Sequence, residues 1–188
     1  TAMNGLAHCF EGMYSRNRSP ISDGIALQSI ELFAHALTDR ALSPEEQRWR
    51  LLLAGHLSGV VLSMAKTCLH HAICHVIGAR HNVGHGEVNT IMLPHALRFN
   101  EPQAGEALDA VLKVLNRVSG TSHLHVSDWI ADVIERLNLP ASLKDLGLTE
   151  ADLAPIARQT MQERGLAVNP RAVTDSEEVL SILRQAAR

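Results

Sequence analysis

Aromatic residues are scarce: two Trp, one Tyr and three Phe in 188 residues leave little material for the cores of β-sandwiches or barrels. Cys9, Cys68 and Cys74 are an odd number set in apolar helical patterns, without a CxxC pair. That excludes a disulfide framework and a thiolate zinc site, and fits reduced thiols in a cytoplasmic protein. Basic residues are not in excess, with 17 Lys and Arg against 20 Asp and Glu and a net charge of −3. The electrostatic footprint of a nucleic-acid binder is therefore missing. No apolar run reaches membrane-span length, and the N-terminus has no basic stretch leading into an apolar one, so neither an anchor nor an export signal is expected.

What the chain has is Ala, Leu and helical periodicity. With 46% hydrophobic residues it can bury a sizeable core, and the pattern predicts an all-α, multi-helix fold with residues 1–188 as one helical metal- and substrate-binding domain. The first helix is expected from Ala2 to Ser15, and a second carries Ile21, Ile25, Ile30 and Phe33 towards Leu37. Ser43-Pro44-Glu45-Glu46 has a cap residue, a proline in the first turn and acids at the positive end of the dipole. A long helical stretch should start there and reach Gly78, with a break near Gly59 or between Met64 and Lys66. A loop over Ala79 to Gly84 precedes a helix that Pro94 should bend or begin. Further helices are expected over Gln103–Val118, Val126–Leu137, Glu150–Glu163 and Asp175–Ala187, with box-like caps at Thr149/Asp152 and Thr174/Glu177.

Against this background, His70, His71, His75, His81 and His85 are five of eleven histidines gathered in one short segment. Imidazole is the commonest metal ligand and titrates near neutrality, so the cluster points to metal binding, proton transfer or both. His71 and His75 are four apart, as are Asn4 and His8, which puts each pair on one helical face. His85 follows across a turn in which Gly84 and Gly86 permit close backbone approach. Asn4, His8, His71 and His85 together make an N/O donor set suited to iron or zinc, with positions open for a substrate oxygen. A zincin is excluded, because Ala72 stands where that motif needs a glutamate base.

These residues carry a resemblance. Met3-Asn4-Gly5-Leu6-Ala7-His8 with Glu11 is the first part of it, and Leu69-His70-His71-Ala72-Ile73-Cys74-His75 with Gly78 the second. His85-Gly86-Glu87-Val88-Asn89, running into Leu93-Pro94-His95 and Phe99-Asn100, and then Asn169-Pro170-Arg171, complete it. In this order they resemble the helical C-terminal domain of the iron-containing (group III) alcohol dehydrogenases, in the maleylacetate reductase branch. The resemblance implies the dehydroquinate synthase-like α domain of a two-domain, homodimeric enzyme whose N-terminal α/β domain binds NAD(P)H; that domain's glycine-rich pyrophosphate loop has no counterpart here. It places the family's Asp and three His metal ligands on Asn4, His8, His71 and His85. His75 matches the histidine beside the nicotinamide and substrate, and is the expected proton donor.

Asn4 replaces a charged oxygen donor with a neutral amide, which lowers the expected affinity for iron or zinc. Maleylacetate reductases share that Asn and the His-His-x-x-Cys-His string, whereas Gly86 looks like the alcohol dehydrogenase branch. The expected activity is reduction of a carbonyl or conjugated keto acid. The alternatives are a metal-dependent dehydrogenase of simple alcohols and a non-catalytic helical metal-binding or interaction domain. His70 and His81 stay open as substrate neighbours. Arg171 is either part of a structural turn or a hand for an acidic substrate, and His95 is expected to hydrogen-bond at a kink.

Overall fold

A computed structural model describes residues 1–188, and every regular element in it is helical. The helices are α1 (Ala2–Tyr14), α2 (Pro20–Thr38), α3 (Pro44–Ala65), α4 (Leu69–His81), α5 (His85–Ser119), α6 (Val126–Arg136), α7 (Glu150–Thr160) and α8 (Ser176–Ala186). Short 3-10 turns occupy Leu143–Leu146 and Arg164–Val168. No single helix is long and apolar enough to cross a membrane.

The starts follow from local chemistry. Ser19 and Ser43 each accept a hydrogen bond from the backbone N–H three residues on, from Ser22 and Glu46, and each precedes a proline in the first turn. At Thr149 the backbone N–H and the hydroxyl both donate to Asp152, at 2.8 and 2.7 Å. The cap expected at Thr174/Glu177 is displaced: Asp175 caps α8 and Thr174 bonds to Glu178 instead. The break in the long stretch falls at Lys66, where α3 and α4 meet at a bend of 104°.

Pro94 and Pro102 do not divide the following segment. Both lie inside α5, which continues through them as one 35-residue helix. An interior proline loses one backbone hydrogen bond and costs about 3 kcal/mol or more. Here Leu93, Leu97, Val111 and Leu115 are buried in one core and Val88, Ile91 and Met92 in another, and this burial outweighs the local cost. The larger core gathers α1, α2, α3, α6 and most of α5; the smaller gathers α4, α7, α8 and the beginning of α5. The seam between the two cores is where α1, α4 and the start of α5 meet.

Close packing sets α1 in place. A Cβ at Gly5 would come within 2.4 Å of the Phe33 ring, and one at Gly12 within 2.2 Å of Val61, so α1 can press against α2 and α3 only because both positions are glycine. The stripe left facing α4 carries Asn4, His8 and Glu11, spaced four and three apart. A Cβ at Gly86 would likewise meet Thr1 at 2.5 Å. Glycine there lets the start of α5 approach the start of α1, which brings His85 to the same seam.

Candidate metal and substrate site

Four of the histidines meet at this seam. The His8 and His71 rings stack with centroids 4.7 Å apart, His75 and His85 stack at 6.0 Å, and His71 lies 5.8 Å from His75 and 6.1 Å from His85. Asn4 completes the group, its Oδ1 3.0 Å from His71 Nε2. All five residues expected at the site from the spacing and the resemblance are thus brought together. The array is graded: His70, His71 and Glu11 form a buried floor, Asn4 and His8 are half-buried, and His75 and His85 stand at the exposed rim.

The floor is a continuous hydrogen-bonded chain. His70 Nε2 donates to the Asn89 carbonyl at 3.0 Å, which leaves its Nδ1 as an acceptor 3.2 Å from His71 Nδ1. His71 Nδ1 lies 2.6 Å from Glu11 Oε2, and the His71 backbone N–H reaches Oε1 at 3.4 Å. Glu11, His70 and His71 are also the one group whose His, Cys, Asp or Glu ligand atoms all lie within 4.8 Å of one another. Each of these atoms already has a partner and the group is closed to solvent, so it reads as a hydrogen-bonded floor rather than an open coordination site.

Burial keeps the rings neutral. It lowers the His71 pKa to about 3 and that of His70 to about 3, with neighbouring histidines adding to the effect. His8 is lowered to about 4, first by burial and then by His71, and His85 is lowered by burial and His75. Burial raises Glu11, offset in part by His70 and by backbone N–H groups. At neutral pH His8, His71 and His85 therefore present lone pairs. His8 Nδ1 is buried without a partner. Asn4 Oδ1 and His71 Nε2 face one space 3.0 Å apart, a separation that suits neighbouring ligands of one ion at about 2.1 Å each once Nε2 carries no proton. A divalent cation fits this donor set.

The undecided neighbours separate. His70 belongs to the floor, with Cys74 Sγ 3.6 Å from its Nε2, and has no open edge for a substrate. His81 ends α4 away from the ring cluster, and its buried Nε2 has no partner. His95 lowers to about 4 through burial and Arg98, makes no side-chain hydrogen bond, and sits in an uninterrupted helix. The bond expected for it at a kink is therefore absent.

Asn169-Pro170-Arg171 is a structural staple. Asn169 Oδ1 accepts from the Leu69 backbone N–H at 3.2 Å and from the Asn100 amide at 3.1 Å, while its Nδ2 donates to Asn100 Oδ1 at 2.7 Å. Arg171 stacks on Phe99 at 3.9 Å, donates to the Phe99 carbonyl and pairs with Glu178, so it is fully engaged. Three residues escaped assignment from the sequence. Glu11 and Asn89 lie in the quoted motifs but carried no role, although the Asn4-His8-Glu11 spacing was a usable signal. Glu163, with Oε2 3.8 Å from His75 Nδ1, comes from a distant turn and gave none. A cleft of about 290 Å³ beside His75 is lined by Thr67, Gln162, Glu163 and Arg164.

Comparison with known proteins identifies the family. The model of the Fe-containing alcohol dehydrogenase family, C-terminal, matches residues 1–187. The chain is 29% identical to 1,3-propanediol dehydrogenase of Klebsiella pneumoniae, over 99% of its own length and 50% of the relative's. It is 31% identical to maleylacetate reductase 1 of Rhodococcus opacus, over 94% and 48%. Among solved structures, that of a 1,3-propanediol oxidoreductase superposes with a TM-score of 0.86 at 30% identity, covering 99% of this chain and 50% of the other. The chain belongs to the iron-containing alcohol dehydrogenase family, as its C-terminal domain, and spans about half the length of the curated relatives it matches.

Proposed function

We propose, with that membership as premise, that residues 1–188 are the metal- and substrate-binding unit of an NAD(P)H-dependent oxidoreductase that reduces a carbonyl or conjugated keto acid, as maleylacetate reductases do. The observation that carries this reading is the convergence of Asn4, His8, His71, His75 and His85 on one seam, graded from a dry floor to an open rim. An array open on one side needs a second wall. An N-terminal nucleotide-binding domain, in the other half of the relatives' length, supplies it in this proposal, and the enzyme works in the cytoplasm as a homodimer.

Asn4, His8, His71 and His85 would hold iron or zinc, which polarises a substrate oxygen, while NAD(P)H provides the hydride. This chain's own residues do the rest. His71, His8 and His85, as neutral donors to that ion, would fix where at the seam the substrate oxygen sits. His75, half-exposed at the rim, donates a proton to the oxygen as the carbonyl carbon gains the hydride. The buried floor keeps water from behind the reacting group.

A second reading, a dehydrogenase of simple alcohols, is favoured by one specific observation. Arg171 is engaged by Phe99 and Glu178, so the motif leaves no guanidinium to hold a substrate carboxylate. Relatives that are dehydrogenases and reductases give no support to the non-catalytic alternative. The test is NADH and NADPH oxidation by the intact protein with maleylacetate and with a panel of short aldehydes, before and after metal removal. Preference for maleylacetate with little metal dependence supports the first reading, and metal-requiring turnover of aldehydes supports the second.

A further inference from the structure

Glu11 is a fully buried carboxylate that the proposed chemistry does not use. It lies against the start of α4, where the first backbone N–H groups lack partners within the helix. The cap residue Cys68 offers no side-chain bond to the helix, its thiol donating to the Val168 carbonyl instead. The gap is closed from outside the helix: Leu69 N–H donates to Asn169 Oδ1, and His71 N–H to Glu11 Oε1. An anion is favoured at this end of a helix. Glu11 Oε1 accepts the His71 N–H, and, with the His70 Nδ1 lone pair facing His71 Nδ1, the 2.6 Å contact at Oε2 reads as a bond donated by that ring nitrogen. His70 agrees, because its Nε2 donates to the Asn89 carbonyl and its Nδ1 turns a lone pair towards the same His71 proton.

A proton held on Nδ1 leaves Nε2 bare in the neutral ring. Nε2 is the atom 3.0 Å from Asn4 Oδ1, on the side of the ring that stacks with His8. Two acceptors, Glu11 Oε2 and His70 Nδ1, face Nδ1 and hold the proton there, whereas the one contact at Nε2 is to an amide whose end-for-end flip presents an N–H donor to the bare ring nitrogen. We propose that Glu11 is the positioning residue of this site: by accepting both the backbone N–H and the Nδ1–H of His71, it fixes the ring's orientation and the tautomer that turns the Nε2 lone pair towards Asn4 and His8. The proposal rests on the reading of this seam as a metal site for its consequence, tighter cation binding, but not for the tautomer itself. Removal of such a supporting partner lowers metal affinity about 10–100-fold.

The experiment uses the intact, metal-stripped protein with imidazole-15N-labelled histidine, and zinc as the probe. In wild type, the His71 signal, assigned by its loss in His71→Asn, is expected to show a protonated Nδ1 and a bare Nε2. Glu11→Gln places an amide where Oε2 or Oε1 stood, and zinc affinity measured by chelator competition is expected to fall about 10–100-fold with the helical circular dichroism unchanged. Glu11→Asp, which restores the carboxylate, should recover part of the loss. A bare Nδ1 with a protonated Nε2 in wild type, or zinc binding by Glu11→Gln within twofold of wild type, overturns the proposal. If wild type binds no zinc, the metal reading fails while the tautomer still decides Glu11. If Glu11→Gln does not fold, the wild-type tautomer alone decides.

Discussion

His71 and His75 lie one helical turn apart and meet different surroundings, which separates the roles proposed for them. His71 is buried against Glu11 and Asn4, whereas the His75 side chain is 52% exposed at the rim. His75→Ala in the intact protein should lower turnover about 10²–10⁴-fold, as expected for loss of a general acid. Its melting temperature should stay within a degree or two of wild type; unchanged turnover would remove His75 from the chemistry. Asn169 behaves in the opposite way. Asn169→Ala leaves the Leu69 N–H and the Asn100 amide short of partners, at about 1–3 kcal/mol for each buried group, so denaturant unfolding should show a loss of about 2–6 kcal/mol. The spacing of Asn4, His8, His71 and His85 was readable because helical periodicity fixes which side chains share a face. Glu163 was not, since its approach to His75 depends on how α4 and a distant turn pack.

Among the elements, the α3–α4 junction stores strain. Lys66 has φ 66° and ψ 178°, a region that essentially only glycine occupies at no cost. Lys66→Gly relieves about 1–3 kcal/mol of that strain against about 0.5–1 kcal/mol of added chain entropy, for a net gain of about 1 kcal/mol. Calorimetry should record a higher melting temperature, and a lower one would show that Lys66 is held without strain. Nearby, Gly165 has backbone oxygens of Cys68 and Thr67 at 2.8 and 3.0 Å from where a Cβ would stand. Helix starts at Ser19-Pro20 and Ser43-Pro44 were legible because capping is local chemistry. The continuity of α5 was not: Pro94 and Pro102 argue locally for interruption, and only the two cores that the helix crosses reverse that argument.

Across the molecule, neutral histidines buried between two cores make stability depend on pH. His70 and His71 take up protons near pH 3 when folded, but at the ordinary value of about 6.5 when unfolded. Between those limits the unfolded chain binds more protons, so stability is complete above about pH 6.5 and falls as the pH is lowered, by about 1.4 kcal/mol per pH unit for each ring. Glu11, raised by burial, acts in the opposite direction, but it is one group against these rings and His8. The melting temperature of the metal-free protein should therefore drop steadily from pH 7 to pH 4.5; a flat profile would mean that the rings are already charged or solvated when folded. The all-α class was legible from composition and periodicity. The placement of the site at the seam of two cores was not, because it follows from close approaches at Gly5, Gly12 and Gly86 that only packing reveals.

NADH oxidation by the intact protein with maleylacetate and short aldehydes, compared between wild type, His71→Ala and His75→Ala, bears most directly on whether this seam is a reductase site. Wild type should consume NADH with at least one of these carbonyl substrates, and both variants should lose about a hundredfold or more in kcat/KM while retaining their helical fold. Wild-type rates in either folded variant, or no reduction of any of these substrates by wild type, would contradict it.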